Sequence, residues 1–439
     1  MNPMQGRLPL GILAAYGIPG LPMAALGLPL FIYLPTFYAT DLGLSLTAVG
    51  AILLLARLWD GVTDPIIGVL SDRTHTRWGR RRPWIIGATP LVLVSLWMLF
   101  VPPAGAGTMH LLVWSMALYL GWTMLALPHA AWGAELSGEY HERSRITASR
   151  EIFVVLGTLV AAGLPVVVTG GTGPVLKVLA ISLLVALPLA VLIACVFVGE
   201  PGAGRQRITR WQEGMAVLVA NRPFRRLIAA YLLNGIANGL PATLVLLFAA
   251  QVLQLAEMSG IFLVVYFGCG ILFIPLWLAL SRRLDKHRSW CVAMLLNCAF
   301  FAPVPLLGAG DFAGFMAICV LTGLCLGADL ALPPSMQADV VDVDTAETGE
   351  GRAGLYFALW GMATKLALAL AVGIAFPLLD LAGFDANAAP GASTGAGVWM
   401  LVALYSLAPI AFKLAAIALM WNFPISAAAH SALKNRLVA

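Results

Sequence analysis

Two carboxylates and an arginine lie inside a long apolar stretch, within the segment ARLWDGVTDP. Asp60 and Asp64 are four residues apart, so both project from one face of a helix, and Arg57 lies one turn before Asp60. Two ionised carboxylates on one face repel each other unless a cation or a proton lies between them. The hydroxyl of Thr63 adds an oxygen ligand of the kind that hard cations prefer. We therefore predict a coupling-cation site with Arg57 as a charge partner; the alternative is a structural cluster with Arg57.

Four further polar side chains stand in or beside apolar stretches. An ionisable group at bilayer depth costs at least about 2.5–3.5 kcal/mol, so each is a functional candidate. Lys365 needs a carboxylate partner, which Asp60 or Asp64 could supply, unless it snorkels to the surface. Asp329 lies mid-span without a basic residue near it in sequence, whereas Arg150 begins a helix and could be interfacial. His129 is either a hydrogen-bonded residue at a helix interface or a group that lines a substrate path or carries protons.

The composition indicates that this chain lies in a lipid bilayer. Of its 439 residues 60% are hydrophobic and 11% are charged, whereas about 25% are charged in soluble proteins. Apolar runs of about 20 residues, the length that spans a bilayer as a helix, recur from end to end. The formal net charge of +5 comes from basic residues in short loops, which indicates membrane orientation rather than nucleic-acid binding.

Breaks between the apolar runs predict twelve transmembrane helices. They are placed near 9–38, 46–71, 84–102, 109–133, 146–169, 175–198, 224–251, 258–281, 290–308, 312–334, 353–382 and 396–423. Arginine-rich loops alternate with nearly uncharged ones, and the positive-inside rule then places both termini and the even-numbered loops in the cytoplasm.

The two halves of the chain resemble each other. Four pairs of residues recur at separations of 204 to 207 positions: Pro128 and Pro333, Glu135 and Asp339, Arg145 and Arg352, and Trp84 and Trp290. Such spacing indicates two six-helix repeats, which is typical of transporters. We predict an N-terminal bundle over 1–198, a cytoplasmic linker over 199–222 and a C-terminal bundle over 223–439.

The segment ARLWDGVTDPIIGVLSDRTHTRWGRRRPW resembles the signature of the glycoside–pentoside–hexuronide:cation symporters, the melibiose-permease-like branch of the major facilitator superfamily. The resemblance continues through LPHAAWGAEL, RSRITASRE and ADVVDVD, so it covers most of the chain. It implies an all-α membrane protein with two pseudo-symmetric six-helix bundles, the major facilitator fold. The activity that it implies is cation-coupled symport of a sugar or glycoside by alternating access.

The resemblance also implies roles for single residues. Asp60 and Asp64 would hold Na⁺, Li⁺ or H⁺ with helper oxygens from Thr63 and Thr123, and Lys365 would lie close to them. An arginine matching Arg150 contacts the substrate. In the loop SDRTHTRWGRR, a cytoplasmic gate would be held closed by charge-assisted hydrogen bonds; its residues would be Asp72, Arg77, Arg80 and Arg81. A solvated charge run that sets topology is the alternative for those arginines.

The departures from the family pattern bear on the substrate. The first helix contains no acid, and the fourth-helix position that carries a carboxylate in sugar-transporting relatives is Ala126 here. A sugar needs its hydroxyls hydrogen-bonded once desolvated. The same branch includes lysophosphatidylcholine symporters, so an amphiphile such as a lysophospholipid is the alternative substrate. Arg150 beside a phosphate and Asp329 beside an ammonium would suit it, unless Asp329 binds a second proton or has only a structural role.

Other functional classes fit less well. No Ser/His/Asp set or HExxH motif accompanies His129, and no filter-like loop is present, so we expect neither an enzyme nor a channel. We expect no cofactor and no metal besides the coupling cation, and no nucleic-acid partner. By resemblance we expect a monomer in the bacterial inner membrane.

Overall fold

The computed structural model describes residues 8–425 except 75, 138–139, 201–220, 349–352, 387 and 389–394. Helices make up nearly all of this described part, with one isolated bridge between Thr76 and Gly79. Eleven helices are long and apolar enough to cross a membrane, and a bent pair makes a twelfth when it is counted as one span. The predicted all-α membrane architecture of about twelve spans is confirmed.

The chain divides into two compact units, Met1–Gln206 and Arg207–Ala439. Most of the predicted linker over 199–222, and Arg352 among the repeat pairs, lie outside the described residues. The helices of the first unit are α1 (Leu10–Gly17), α2 (Gly20–Phe31), α3 (Tyr33–Thr40), α4 (Leu46–Arg73), α5 (Arg82–Phe100), α6 (Thr108–Glu135), α7 (Tyr140–Val167) and α8 (Thr172–Phe197).

The other helices of the described residues belong to the second unit. They are α9 (Arg222–Gln251), α10 (Ser259–Leu272), α11 (Ile274–Leu284), α12 (Lys286–Phe301), α13 (Phe312–Thr348), α14 (Ala353–Leu381), α15 (Ala396–Val402) and α16 (Ala408–Met420). Short 3₁₀ turns lie at Ala256–Met258 and Val304–Leu306, and a π-helical turn at Ala403–Leu407 joins α15 to α16.

Prolines accompany irregularities in three of the predicted spans. Proline lacks the N–H that bonds the carbonyl four residues earlier, and its ring crowds that carbonyl. The predicted helix over 9–38 is divided into α1, α2 and α3, with breaks shortly before Pro22 and Pro35. The helix over 258–281 bends by 43° between α10 and α11 beside Pro275. The last helix widens to a π turn just before Pro409.

Small residues bring the helices of each unit close together. In the first unit α2 packs along α7, and a Cβ at Gly157 would lie 2.1 Å from the backbone oxygen of Leu21. In the second unit α9 packs along α14, where a Cβ at Gly235 would lie 2.7 Å from the Cβ of Ala367. Such contacts let helix backbones approach closely where lipid supplies no hydrophobic drive for association.

Candidate functional site

The two acids of α4 meet a hydroxyl from α6. Thr123 Oγ1 lies 2.7 Å from Oδ1 of Asp60 and 2.7 Å from Oδ1 of Asp64. Asp60 and Thr123 are buried, and Asp64 is half-buried. The four-residue spacing on α4 directs both carboxylates to the same side, where α6 packs against that helix. The structure therefore brings three of the four predicted cation ligands together.

The hydroxyl of Thr123 cannot donate to both acids at once. A hydroxyl carries one hydrogen, so Thr123 can donate to only one of the two carboxylates. The contact with the other oxygen, also 2.7 Å long, fits a protonated carboxyl that donates to Thr123 or a cation that both oxygens coordinate. Two ionised carboxylates also repel each other at low dielectric, and a cation or proton bound between them would reduce that repulsion.

Arg57 contacts the acid pair, whereas the hydroxyl of Thr63 does not point at it. Arg57 Nη1 lies 3.7 Å from Oδ2 of Asp60, and its guanidinium carbon lies 4.3 Å from the centroid of the Tyr119 ring. Arg57 is thus a charge partner, as predicted from its spacing. Thr63 is buried, but its hydroxyl donates to the backbone oxygen of Asp60 at 3.1 Å instead of pointing at a carboxylate as expected. Threonine hydroxyls in helices commonly donate to a backbone oxygen three or four residues earlier, and the Asp60 oxygen is such an acceptor.

Lys365 lies on α14 in the second unit and is half-buried. Its predicted partnership with Asp60 or Asp64 would join the two units and stays a prediction.

The predicted substrate residues of the first unit lie on α6 and α7. Arg150 forms an ion pair with Glu151, with Nη2 2.6 Å from Oε1, and its side chain is 30% exposed. Ala126 is half-buried. His129 is buried: its ring stacks on Tyr16 with centroids 4.6 Å apart, and its Nε2 lies 2.9 Å from the backbone oxygen of Tyr16. This environment fits the helix-interface alternative for His129.

Asp329 is hydrogen-bonded within the second unit, which fits the structural alternative for this residue; its contact with a substrate ammonium stays a prediction. Its Oδ1 accepts hydrogen bonds from Asn234 at 3.0 Å and from Trp290 at 2.6 Å, and its Oδ2 accepts one from Asn238 at 2.9 Å. The ammonium of Lys413 lies 3.5 Å from Oδ2. The carboxylate is therefore hydrogen-bonded and charge-balanced inside its own unit.

The predicted gate residues form part of a larger ionic cluster. The side chains of Arg80 and Arg81 both contact Glu135 at the end of α6, with Arg81 Nη2 2.6 Å from Oε1, and Arg81 Nη1 donates to the Ser71 hydroxyl at 2.9 Å. Arg77 instead places its guanidinium 5.8 Å from the centroid of the Trp78 ring. The side chain of Asp72 lies outside the described part of the structure.

A further carboxylate completes this cluster. Glu200 accepts hydrogen bonds from the backbone N–H groups of Arg80, Arg81 and Arg82, where α5 begins. An anion is favoured at this end of a helix because its first N–H groups have no intrahelical acceptor.

Several of these residues escaped the sequence analysis. Lys413 is an ionisable group inside an apolar span, so the rule that selected Lys365 applies to it equally. Asn234 and Asn238, one turn apart on α9, carry a weaker signal because uncharged amides are cheaper to bury. Glu200 lies in a polar segment where nothing distinguishes it.

Comparisons with known proteins agree with this architecture. Residues 15–427 match the family model described as MFS/sugar transport protein. The chain is 25% identical to the uncharacterized symporter sll1374 of Synechocystis sp., with 92% of each chain covered. It is 24% identical to the sodium-dependent lysophosphatidylcholine symporter 1-A of Danio rerio, with 93% of this chain and 85% of that protein covered.

Solved structures show the same fold at low identity. The nucleoside transporter NupG superposes with a TM-score of 0.68 at 13% identity, covering 95% of this chain and 100% of that one. A bacterial homologue of the lysosomal transporter Spinster, in an inward-facing unoccupied conformation, gives 0.64 at 13% identity, with 98% and 97% covered. The proteins matched are transporters, which confirms the prediction that this is not an enzyme. The chain belongs to the MFS/sugar transport protein family and has the major facilitator fold that its sequence predicts.

Proposed function

We propose that this protein is a cation-coupled symporter whose coupling cation binds between Asp60, Asp64 and Thr123. The single observation that carries the proposal is the position of the Thr123 hydroxyl, 2.7 Å from a carboxylate oxygen of each acid. One monovalent cation coordinated by these oxygens, or one proton shared among them, would relieve the repulsion between the two carboxylates. Binding of the cation would then favour the conformation that accepts the solute.

The charges around the acid pair support coupling. Arg57 Nη1 lies 3.7 Å from Oδ2 of the buried Asp60, whereas Asp64 is half-buried. We propose Lys365 as the second charge partner of the cation site, as the sequence predicts. Sodium is supported by the names of the lysophosphatidylcholine symporters among the relatives, and a proton is the alternative ion.

The description of the matching family supports a sugar or glycoside as the solute. A second candidate is an amphiphile such as a lysophospholipid, and a specific observation favours it. Helices α1, α2 and α3 contain no acid, and Ala126 on α6 stands where sugar-transporting relatives carry a carboxylate. Two of the carboxylates that would receive sugar hydroxyls are thus missing. Arg150 would bind the phosphate of such a lipid in place of its contact with Glu151.

The positive-inside rule supports both termini in the cytoplasm. We propose a monomer in a bacterial inner membrane, with this orientation.

Thermal unfolding of the purified protein tests the cation site. A ligand that binds only the native state raises the melting temperature by an amount that grows with its concentration. We expect Na⁺ or Li⁺, relative to choline at equal ionic strength, to stabilise the wild type, and Asp64→Asn and Thr123→Val to abolish the response. If the ion is a proton, the wild type alone should gain stability as the pH falls, without a Na⁺ response.

Thr89→Val is the matched control, because Thr89 is a buried threonine of the same unit whose hydroxyl bonds only the carbonyl of Ile85. It should keep the full cation response. A cation response that survives unchanged in Asp64→Asn and in Thr123→Val would contradict the proposed site.

Solute class is tested by the same assay with glycosides and with monomeric lysophospholipids. Stabilisation by a glycoside that increases with the coupling cation would establish a sugar symporter. Stabilisation by lysophosphatidylcholine that is lost in Arg150→Ala, but kept in the exposed-arginine control Arg225→Ala, would establish the amphiphile alternative.

A further inference from the structure

The second unit contains a buried ammonium enclosed by oxygen atoms. Lys413 on α16 is 2% exposed, and its Nζ lies 2.8 Å from Oδ1 of Asn234, 2.8 Å from Oδ1 of Asn238 and 3.5 Å from Oδ2 of Asp329. We call these three oxygens the oxygen cage. An ammonium has three hydrogens to donate, so the cage accounts for all of them.

The orientation of the cage is set by its own hydrogen bonds. Each asparagine donates its amide hydrogens to the Asp329 carboxylate, at 3.0 and 2.9 Å, while its carbonyl oxygen faces Lys413. Reversing either amide would place an N–H against the ammonium and a carbonyl against the carboxylate. Trp290 also donates from Nε1 to Oδ1 of Asp329 at 2.6 Å. The oxygens are therefore held in place by groups other than the lysine.

Such a cage has the chemistry of a monovalent cation site. One carboxylate and two amide carbonyls are hard oxygen ligands, the type that alkali and alkaline-earth cations prefer. The short contacts of the ammonium are with the neutral carbonyls, and its distance from the charged oxygen is longer. Lys413 is thus held as a cation coordinated by oxygens rather than as one half of a close ion pair.

We propose that the oxygen cage is a monovalent-cation site of the second unit, and that the side-chain ammonium of Lys413 occupies it in place of a free ion. Removal of its ammonium would open this site to Na⁺ or K⁺. The inference concerns residues of the second unit only and does not depend on the coupling site proposed above. It goes further than a structural ion pair, since a buried ion pair that only joined helices would have no affinity for a diffusible ion once its lysine was lost.

The test is Lys413→Met in an Asp64→Asn background. Methionine has about the length of the lysine side chain up to Cε, with a sulfur in place of Cδ and no ammonium, so the place of Nζ is left open. The Asp64→Asn substitution removes one acid from the first-unit cluster, so that a new cation response is assigned to the second unit. Melting temperatures are compared in sodium, potassium and choline chloride at equal ionic strength.

We expect Na⁺ or K⁺ to raise the melting temperature of the Lys413→Met protein by at least about 2 °C over choline, with a dependence on the logarithm of the ion concentration. The Asp64→Asn parent, whose cage is filled by Lys413, should show no such rise. Adding Asp329→Asn to Lys413→Met removes the cage carboxylate and should abolish the response. Equal melting temperatures of the Lys413→Met protein in all three salts would overturn the proposal.

Folding failure is also informative. If Lys413→Met can be purified in sodium but not in choline, a diffusible cation has replaced the ammonium, as proposed. If it folds in neither salt while the charge-neutral Lys413→Met/Asp329→Asn protein does fold, the cage cannot hold a free cation and the proposal fails. If the double variant also fails, Lys413→Ala, which keeps all three cage oxygens and enlarges the space between them, is assayed with the same salts; absence of a sodium or potassium effect there overturns the proposal.

Discussion

Lys286 and Asp339 form an ion pair in the second unit, with Nζ 2.6 Å from Oδ2, at the position that corresponds to Arg80 and Glu135 in the first. The corresponding residues are 206 and 204 positions apart in the chain. In each unit a cation at the start of one helix thus holds a carboxylate of the helix that follows it. The two pairs differ in burial: Arg81, which shares Glu135, is 2% exposed, whereas Lys286 is 36% exposed.

This difference predicts unequal stability losses. Glu135→Gln leaves the buried guanidinium of Arg81 without its carboxylate and should cost about 3 kcal/mol. Asp339→Asn breaks a pair whose lysine is hydrated and should cost about 1 kcal/mol or less. Melting temperatures in detergent measure both losses. Equal shifts for the two variants would show that burial of the arginine has no energetic consequence.

Glu200 should stabilise the start of α5. Its carboxylate accepts from three consecutive backbone N–H groups, so Glu200→Ala leaves those donors without it and should cost about 1–2 kcal/mol. The control is Glu257→Ala, which removes an exposed glutamate of the second unit and should change the melting temperature little. An equal loss in both variants would contradict the capping role.

The contact between α2 and α7 should not tolerate a methyl group. In Gly157→Ala the new Cβ would lie 2.1 Å from the backbone oxygen of Leu21, so the helices must move apart. We expect a loss of at least about 1–3 kcal/mol and lower yield of folded protein. Gly87→Ala on α5 is the control, because nothing lies within 4 Å of its Cβ position, and alanine there should be neutral or stabilising by about 0.5–1 kcal/mol. Size-exclusion profiles and melting temperatures distinguish the two.

His129 should affect stability and leave the affinity for substrate unchanged. His129→Phe keeps a ring against Tyr16 but loses the 2.9 Å contact with the Tyr16 backbone oxygen, and should cost about 1–2 kcal/mol. The concentration of solute that gives half-maximal uptake should stay within about twofold of the wild type, well below the tenfold change that 1.4 kcal/mol would produce. A tenfold or larger increase would assign His129 to the substrate path.

The features that depend only on composition and on short spacing could be predicted from the sequence. Apolar length predicts the spans, and the four-residue interval of Asp60 and Asp64 places both acids on one face, because helix geometry alone relates residues so close in the chain. The positions of Pro22, Pro35 and Pro275 could also have predicted the helix breaks. A proline inside an apolar run is a local signal, but one that membrane helices sometimes absorb without a break.

Tertiary packing decided which distant groups meet. Thr123 reaches both acids across 63 and 59 positions of sequence, while Thr63, next to them in the chain, bonds its own helix. Lys413 and Asp329 are 84 positions apart, and only the packing of α16 and α13 around α9 encloses the ammonium in oxygens. By itself the sequence determined the bilayer as solvent, the helical spans and the chemistry available on each helix. The partners of each charge were decided by the rotation and register of whole helices, which result from many weak packing contacts rather than from any local pattern.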